Sequence, residues 1–310
     1  LSACNFYMPI FEEALDAYGL PLELRYLPII ESALNPSAVS RAGASGLWQF
    51  MIGTGKIYGL ESNSLVDERR DPIKATWAAA RYLKEMYDIY GDWNLVIAAY
   101  NCGPGTINKA IRRANGETDY WKIYNYLPKE TRGYVPAFIA ANYVMTYYCD
   151  HNICPMETNI PASTDTVQVN KNLHFEQIAD LCNVPLDQIK SLNPQYKKHM
   201  IPGDSKPYTL RLPIDAISTF IDKQDTIYAH RADELFRNRK TVAVKEITPS
   251  TRKTTAAVAG KGKLTYYTIK SGDTLSTIAG KYGVTIKDIQ RWNGMSNTKI
   301  AAGKRLKIYK

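Results

Sequence analysis

Through the first half of the chain, apolar residues recur at three- and four-residue spacing, which predicts a series of amphipathic helices. Segments 6–18, 22–34, 73–90, 93–100 and 134–149 carry the pattern, and Trp77, Ala80, Leu83, Met86, Tyr87 and Tyr90 form one such stripe. Gly19, Pro21, Pro36, Gly91 and the Gly103-Pro104-Gly105 cluster interrupt it where helices are expected to end or turn. Residues 1–158 contain no alternating strand pattern. They read as an all-α domain with a short hairpin at most.

From about residue 164 the period becomes alternating, and the pattern repeats at an offset of 100 residues. Val167, Val169, Ile178, Ala179, Val184, Ile189, Leu192 and Asn193 correspond to Tyr267, Ile269, Ile278, Ala279, Val284, Ile289, Trp292 and Asn293, and five of the eight pairs are identical. Each copy closes on alternating apolar residues, Leu210 and Leu212 in the first, Leu306 and Ile308 in the second. A strand, two short helices and a second strand let the strands pair with both helices on one face, a small α+β (βααβ) unit. Part of 213–236 is expected to add a helix to the first copy. The expected division is 1–158, 159–236 with its extension, a basic tether at 237–263, and a final module at 264–310. The tether is rich in Lys, Arg, Thr and Ala and has too little apolar content to bury a core.

Charge adds a direction. The net charge is +9, but residues 237–310 hold 17 Lys/Arg and 3 Asp/Glu, whereas 1–236 hold 22 and 27. A cationic end on a mildly acidic body points to an anionic partner: nucleic acid, anionic lipid or an acidic bacterial wall. No nucleic-acid motif accompanies the basic residues, and no run of about 18 uncharged apolar residues is available to span a bilayer. Five cysteines leave at least one unpaired in a monomer. Cys149 and Cys154 are close enough in sequence to bridge in an oxidising compartment, though spacing alone does not establish a bond. The four histidines are scattered, so surface or structural roles are expected and neither metal nor cofactor is called for. Leu1-Ser2-Ala3-Cys4 has the form of a bacterial lipid-attachment box without the apolar stretch that precedes one. A fortuitous cysteine is the preferred reading, and a lipid anchor is not demonstrable from these residues.

Candidate chemistry centres on Glu31, at the end of the apolar run Leu27-Pro28-Ile29-Ile30. A carboxyl half-buried there loses solvation of its charged form, so its pKa is expected to climb from about 4.3 towards neutrality. A carboxylic acid still protonated near pH 7 can donate to the leaving oxygen of a glycosidic bond. Three later segments belong with it: Ser45-Gly46-Leu47-Trp48-Gln49-Phe50-Met51, Ala98-Ala99-Tyr100-Asn101-Cys102-Gly103-Pro104-Gly105, and Arg132-Gly133-Tyr134-Val135-Pro136. Taken singly, each has an ordinary structural reading as a helix-end charge, a turn amide, a helix cap or a packing tyrosine.

Taken in order and spacing, these segments resemble the lysozyme-like lytic transglycosylases that cut bacterial peptidoglycan. Gly53-Thr54-Gly55, Tyr58-Gly59-Leu60 and Asp67-Glu68-Arg69-Arg70-Asp71-Pro72 bring the likeness closest to the membrane-bound transglycosylase D branch, over about residues 6–150. Tyr267-Thr268-Ile269-Lys270-Ser271-Gly272-Asp273-Thr274-Leu275, through Asn293, resembles a LysM module, a type that binds N-acetylglucosamine-containing glycans. The resemblance implies Glu31 as sole acid/base, protonating the oxygen between N-acetylmuramic acid and N-acetylglucosamine and then taking the muramoyl C6 hydroxyl proton. The product would be a 1,6-anhydro ring, formed without water. A second carboxylate, which ordinary glycosidases place about 5–5.5 or 6.5–9.5 Å away, is then unnecessary.

By the same resemblance, Ser32 helps fix the Glu31 side chain, Gln49 and Asn101 bond the sugar or its acetamido groups, and Tyr134 orients the carboxyl. Gly46 would let the backbone approach the cleft, Tyr100 would shape its wall, and Cys102 stands where the family usually has a small alanine. Gly272, Asp273, Thr274 and Leu275 form the loop expected to contact glycan. In the first copy Asn172-Leu173-His174-Phe175 replaces them, marking a degenerate relative kept for packing against the first domain. The partner implied is the peptidoglycan glycan strand, and the setting the periplasm or outer envelope of a bacterium. Two rivals remain: a goose-type lysozyme that adds water, and a catalytically inactive wall-binding protein.

Overall fold

The computed structural model describes residues 1–158, 160, 161, 163–237, 264–270, 273–293, 295, 300 and 303–309. The expected tether beyond Arg237, and Gly272 in the final module, lie outside the described residues. The helical periodicity becomes α1 (Cys4–Ala17), a 3-10 turn (Leu22–Tyr26) running into α2 (Leu27–Ser32), α3 (Ile52–Ile57), α4 (Pro72–Tyr90), α5 (Trp93–Cys102), α6 (Pro104–Arg113), α7 (Tyr120–Ile123) and α8 (Lys129–Thr146). Local chemistry sets the boundaries. The Asp71 side chain accepts from the amides of Ile73 and Lys74, Pro72 opens α4, and Gly91 closes it with φ of 63°. Asp92 caps α5 through the Leu95 amide.

α5 is the central helix: Leu95, Val96, Ile97, Ala98 and Ala99 are all buried, and it touches α4, α6 and α8. The α4 stripe turns slightly from the predicted one, since Leu83 and Met86 are buried but Trp77 is 37% exposed. Segment 22–34 is two elements rather than one, and it stops at Ser32 because Ala33 and Leu34 take left-handed φ of 51° and 59° directly after α2. In α8, Pro136 has no amide proton, which orphans the Arg132 carbonyl. The buried Tyr120 hydroxyl donates to it at 3.0 Å.

The repeat is visible in three dimensions. In the first copy β1 (Thr164–Val169) is followed by β2 (Asn172–His174), α9 (Phe175–Cys182), α10 (Leu186–Leu192), β3 (Met200–Pro202) and β4 (Tyr208–Pro213). β1 pairs antiparallel with β4, Val167 opposite Leu210, and β2 pairs with β3. The segment after it forms α11 (Ile214–Asp222), α12 (Gln224–Ala229) and α13 (Ala232–Leu235). Ala216, Phe220 and Ile227 drop into the module's core.

The final copy has β5 (Leu264–Thr268), α14 (Leu275–Tyr282), α15 (Ile286–Asn293) and β6 (Arg305–Tyr309), with Tyr267 opposite Leu306. The identical asparagines do identical work. Asn193 Nδ2 donates to the Ile189 and Arg211 carbonyls while its Oδ1 accepts from the Arg211 amide. Asn293 does the same with Ile289 and Lys307. Each clamps the end of a helix to the closing strand.

By contacts the chain divides into two compact units, one within Leu1–Pro249 and one within Ser250–Lys310. The helical domain and the first copy share a unit but keep separate apolar clusters. Two residues cross over. Leu65 and Val66 leave the helical domain and are buried in the core of the first copy. Phe220 is fully buried in that core, so Phe220→Ala is expected to lower stability by about 3–5 kcal/mol, measured as a shift in the urea unfolding midpoint at constant slope.

Candidate active site

Glu31 is the penultimate residue of α2, and the amides of Ala33 and Leu34 return to the Ile29 and Pro28 carbonyls to close the helix abruptly. Its carboxyl is half-buried. Burial pushes it up to about 7, the Tyr134 hydroxyl opposes this by donating to Oε1, and the charge of exposed Glu130 adds to the rise. Burial, with the Glu31 charge behind it, drives the hydroxyls of both Tyr134 and Tyr100 well above the ordinary tyrosine range. Both phenols therefore stay protonated beside the carboxyl, as hydrogen-bond donors.

The turn carrying Gln49 is pinned through its Leu47 and Trp48 carbonyls, which lie outside any helix or sheet. Ser32 Oγ donates to Leu47 O at 2.9 Å, and Tyr100 donates to Trp48 O at 2.7 Å. The Trp48 indole is fully buried and donates to Thr76 Oγ1 at 2.9 Å. Gln49 sits at φ of 47° and folds its Nε2 onto Gly46 O at 2.8 Å and Ala38 O at 3.3 Å. Gly46 has φ of 88°, and a Cβ there would lie 1.8 Å from the Arg69 carbonyl. The glycine is required by a neighbouring backbone inside the domain. Ser32 likewise bonds Pro28 O and Leu47 O rather than the Glu31 carboxyl.

Asn101, in the last turn of α5, accepts from Thr131 Oγ1 at 2.9 Å through its Oδ1, which leaves its amide NH2 to point elsewhere. Cys102 is half-buried and burial raises its thiol pKa, so the sulfur is held as a thiol. Cys149 and Cys154 are exposed and free.

The expected residues thus meet in one region from three elements: Glu31 from α2, Tyr100 and Asn101 from α5, Tyr134 from α8, with Ser32 and Tyr100 gripping the Gln49 turn. Two contributors lacked an assigned role in the sequence. Thr131 orients Asn101, and its position beside the Arg132–Pro136 motif was the available signal. Tyr82 lies between Tyr58 and Tyr100, its ring tilted against both with centroids 5.1 and 5.6 Å away; nothing in its helical spacing sets it apart from core.

In the final module Asp273 Oδ2 accepts from the Tyr267 hydroxyl and the Lys270 amide, both at 2.8 Å. Thr274 caps α14, and Leu275 is 2% exposed in the core. These residues shape the loop, and Leu275 can offer a ligand only its backbone. Among the described residues no cluster of His, Cys, Asp or Glu is arranged to hold a metal, and no helix is long and apolar enough to cross a membrane.

Comparison with known sequences follows the same division. The transglycosylase SLT domain matches residues 8–123, the LysM-like domain of lytic transglycosylase MltD matches 163–229, and the LysM domain matches 267–308. By that match residues 8–123 resemble an SLT domain. Membrane-bound lytic murein transglycosylase D of Escherichia coli K12 is 33% identical over 94% of this chain and 60% of its own length. The present sequence therefore spans less than two thirds of that relative. The soluble lytic murein transglycosylase of the same strain is 33% identical over 38% of this chain and 19% of its own. The crystal structure of the 70 kDa soluble lytic transglycosylase of Escherichia coli has 29% identity, covering 46% of this chain and 24% of that one, with a TM-score of 0.40.

The raised Glu31 pKa has a signed consequence for stability. Its folded value of about 7 lies above its ordinary 4.5, so the stabilisation from keeping it neutral is complete below the lower value and lost as pH rises through the higher. Glu31→Gln, neutral throughout, is expected to match wild type near pH 4 and to exceed its unfolding free energy by about 2–3 kcal/mol at pH 8. Urea titrations of both proteins across that range are the check.

Proposed function

We propose that this chain is a peptidoglycan lytic transglycosylase of the bacterial envelope, with Glu31 as its single acid/base and its final module as a glycan tether. The observation that carries the reading is a lone carboxyl raised to about 7 by burial, with a tyrosine hydroxyl donating to it. At neutral pH such a group is populated in both protonation states, which suits a residue that must give a proton and then take one. The relatives that share the SLT domain are murein transglycosylases, which supports the same substrate class.

In the first step protonated Glu31 donates to the glycosidic oxygen between N-acetylmuramic acid and N-acetylglucosamine, and the C1–O bond breaks. The substrate's own acetamido group steadies the positive charge at C1. The Glu31 carboxylate, stabilised by the Tyr134 hydroxyl, then takes the proton of the muramoyl C6 hydroxyl as that oxygen closes on C1. The products are a 1,6-anhydro muramoyl end and a free N-acetylglucosamine 4-hydroxyl, and Glu31 is protonated again. Gln49 presents its Oε1, and Asn101 its amide NH2, to the sugar hydroxyls and acetamido groups. Peptidoglycan places the protein in the periplasm or outer envelope.

Digestion of purified sacculi followed by product mass determination tests the reading. Wild type is expected to release muropeptides lighter by one water than the hydrolytic product; reducing ends would identify a lysozyme-type hydrolase, and no release a binding protein. Glu31→Gln is expected to lower the rate by about 10²–10⁴-fold. Wild-type activity should fall as pH rises through about 7, where the acid form is lost. Tyr134→Phe removes a bond that favours the charged form, so it should move that limb to higher pH while slowing turnover about tenfold or more.

A further inference from the structure

We propose that the module at 159–236 serves as a brace for the catalytic domain, and that Arg69, Asp67 and Lys197 are positioning residues for the Gln49 turn. The inference rests on reading Gln49 as a sugar contact. Arg69 and Asp67 have side chains only 6% and 2% exposed. The Arg69 fork grips both Asp67 carboxylate oxygens at 2.8 Å through Nε and Nη2. Its remaining Nη1 donates to the Gly43 carbonyl at 2.8 Å and the Phe50 carbonyl at 2.9 Å. Those carbonyls bracket the turn that contains Gln49. The same residue's backbone supports its middle, since Gly46 lies directly against Arg69 O. One residue therefore fixes both ends and the centre of the turn.

Arg69 is held in turn from the neighbouring module. The Asp67 amide donates to Gln195 O at 2.9 Å, the Lys197 amide donates to Leu65 O at 2.6 Å, and Val66 forms a β-bridge with Tyr196. Lys197 Nζ donates to Asn63 O at 2.8 Å and stands 3.7 Å from Asp67 Oδ2. A buried ion pair adds little net stability compared with apolar packing. A bidentate guanidinium fork fixes direction, which a positioning role requires. The module's two loops that flank β2 and β3 are meanwhile closed on each other. A Cβ on Gly203 would come within 2.2 Å of the Lys171 carbonyl, and Asn172 and Asp204 exchange amide bonds at 3.0 and 3.4 Å.

The test is kinetic, on the full chain with solubilised glycan strands, comparing wild type, Arg69→Lys, Gln49→Ala and the double variant. Lysine keeps the charge and loses the fork. Arg69→Lys is expected to raise KM about tenfold with kcat within about twofold and the pH profile unmoved. In the Gln49→Ala background it should raise KM no further, because both changes act on one turn. If Arg69→Lys does not fold, Lys197→Met, in the other module, carries the same cycle with about a threefold KM effect expected. KM effects that multiply in the double variant, a loss confined to kcat, or a Gln49→Ala variant with normal KM would overturn the brace. A wild type that releases no product refutes the enzyme reading itself, a distinct outcome.

Discussion

The withdrawal of one carboxyl from water governs this site. A shift of one pKa unit corresponds to about 1.4 kcal/mol of difference between protonation states, so raising Glu31 from 4.5 to about 7 imposes a penalty of a few kcal/mol on its charged form. The Tyr134 hydroxyl limits that penalty by donating to the carboxyl. Burial without the tyrosine would leave an acid reluctant to part with its proton, and the tyrosine without burial would leave an ordinary carboxylate. The opposition of the two sets the group near the middle of the physiological range. Three separate elements must be registered for this to hold, and α8, which packs against both α2 and α5, registers them.

The residues around the carboxyl serve both the site and the interior. A turn running through a domain's interior leaves carbonyl groups that must find donors. Here the donors are Ser32 to Leu47, Tyr100 to Trp48, Gln49 to Gly46 and Arg69 to Phe50. Several of these are the residues expected to contact or surround the sugar. A substitution at Tyr100 therefore removes a donor from the Trp48 carbonyl as well as a phenol beside Glu31. Loss of activity at these positions is consequently ambiguous unless stability is followed in parallel.

The sequence exposed the periodic parts of this molecule and concealed the parts that depend on long-range geometry. α1, α4 and α8 were legible because each buries a stripe at helical spacing. α3 and α7 are six and four residues long, too short for a period to declare itself, and α6 buries only Ile107 and Ala110. Glu31 was legible because an acid after four apolar residues is an anomaly wherever it folds. The reasons for Ser32 and Gly46 were not legible, because Leu47 O and Arg69 O lie far from them in sequence. Leu65 and Val66 fall outside every periodic segment of the sequence, and only the neighbouring module shows why apolar side chains stand there.

The two repeat copies show how one scaffold is turned to different ends. Both keep the asparagine clamp, and both start their first helix from a capping side chain, His174 in one and Thr274 in the other. The divergence is in the loops. In the first copy the added β2–β3 ladder joins the loops to each other, and Lys197 and Lys206 reach acids of the helical domain, Asp67 and Glu61. Those two cations are paired with the neighbouring domain. In the final copy Lys281 lies over the Tyr267 and Tyr282 rings, while Asp273 accepts from the Tyr267 hydroxyl and the Lys270 amide. A module whose loops close on themselves and whose charges are matched by a neighbouring domain is suited to transmit position. The sequence marked this split only as the loss of Gly-Asp from the first copy; the structure supplies its physical counterpart, a loop sealed against its own chain.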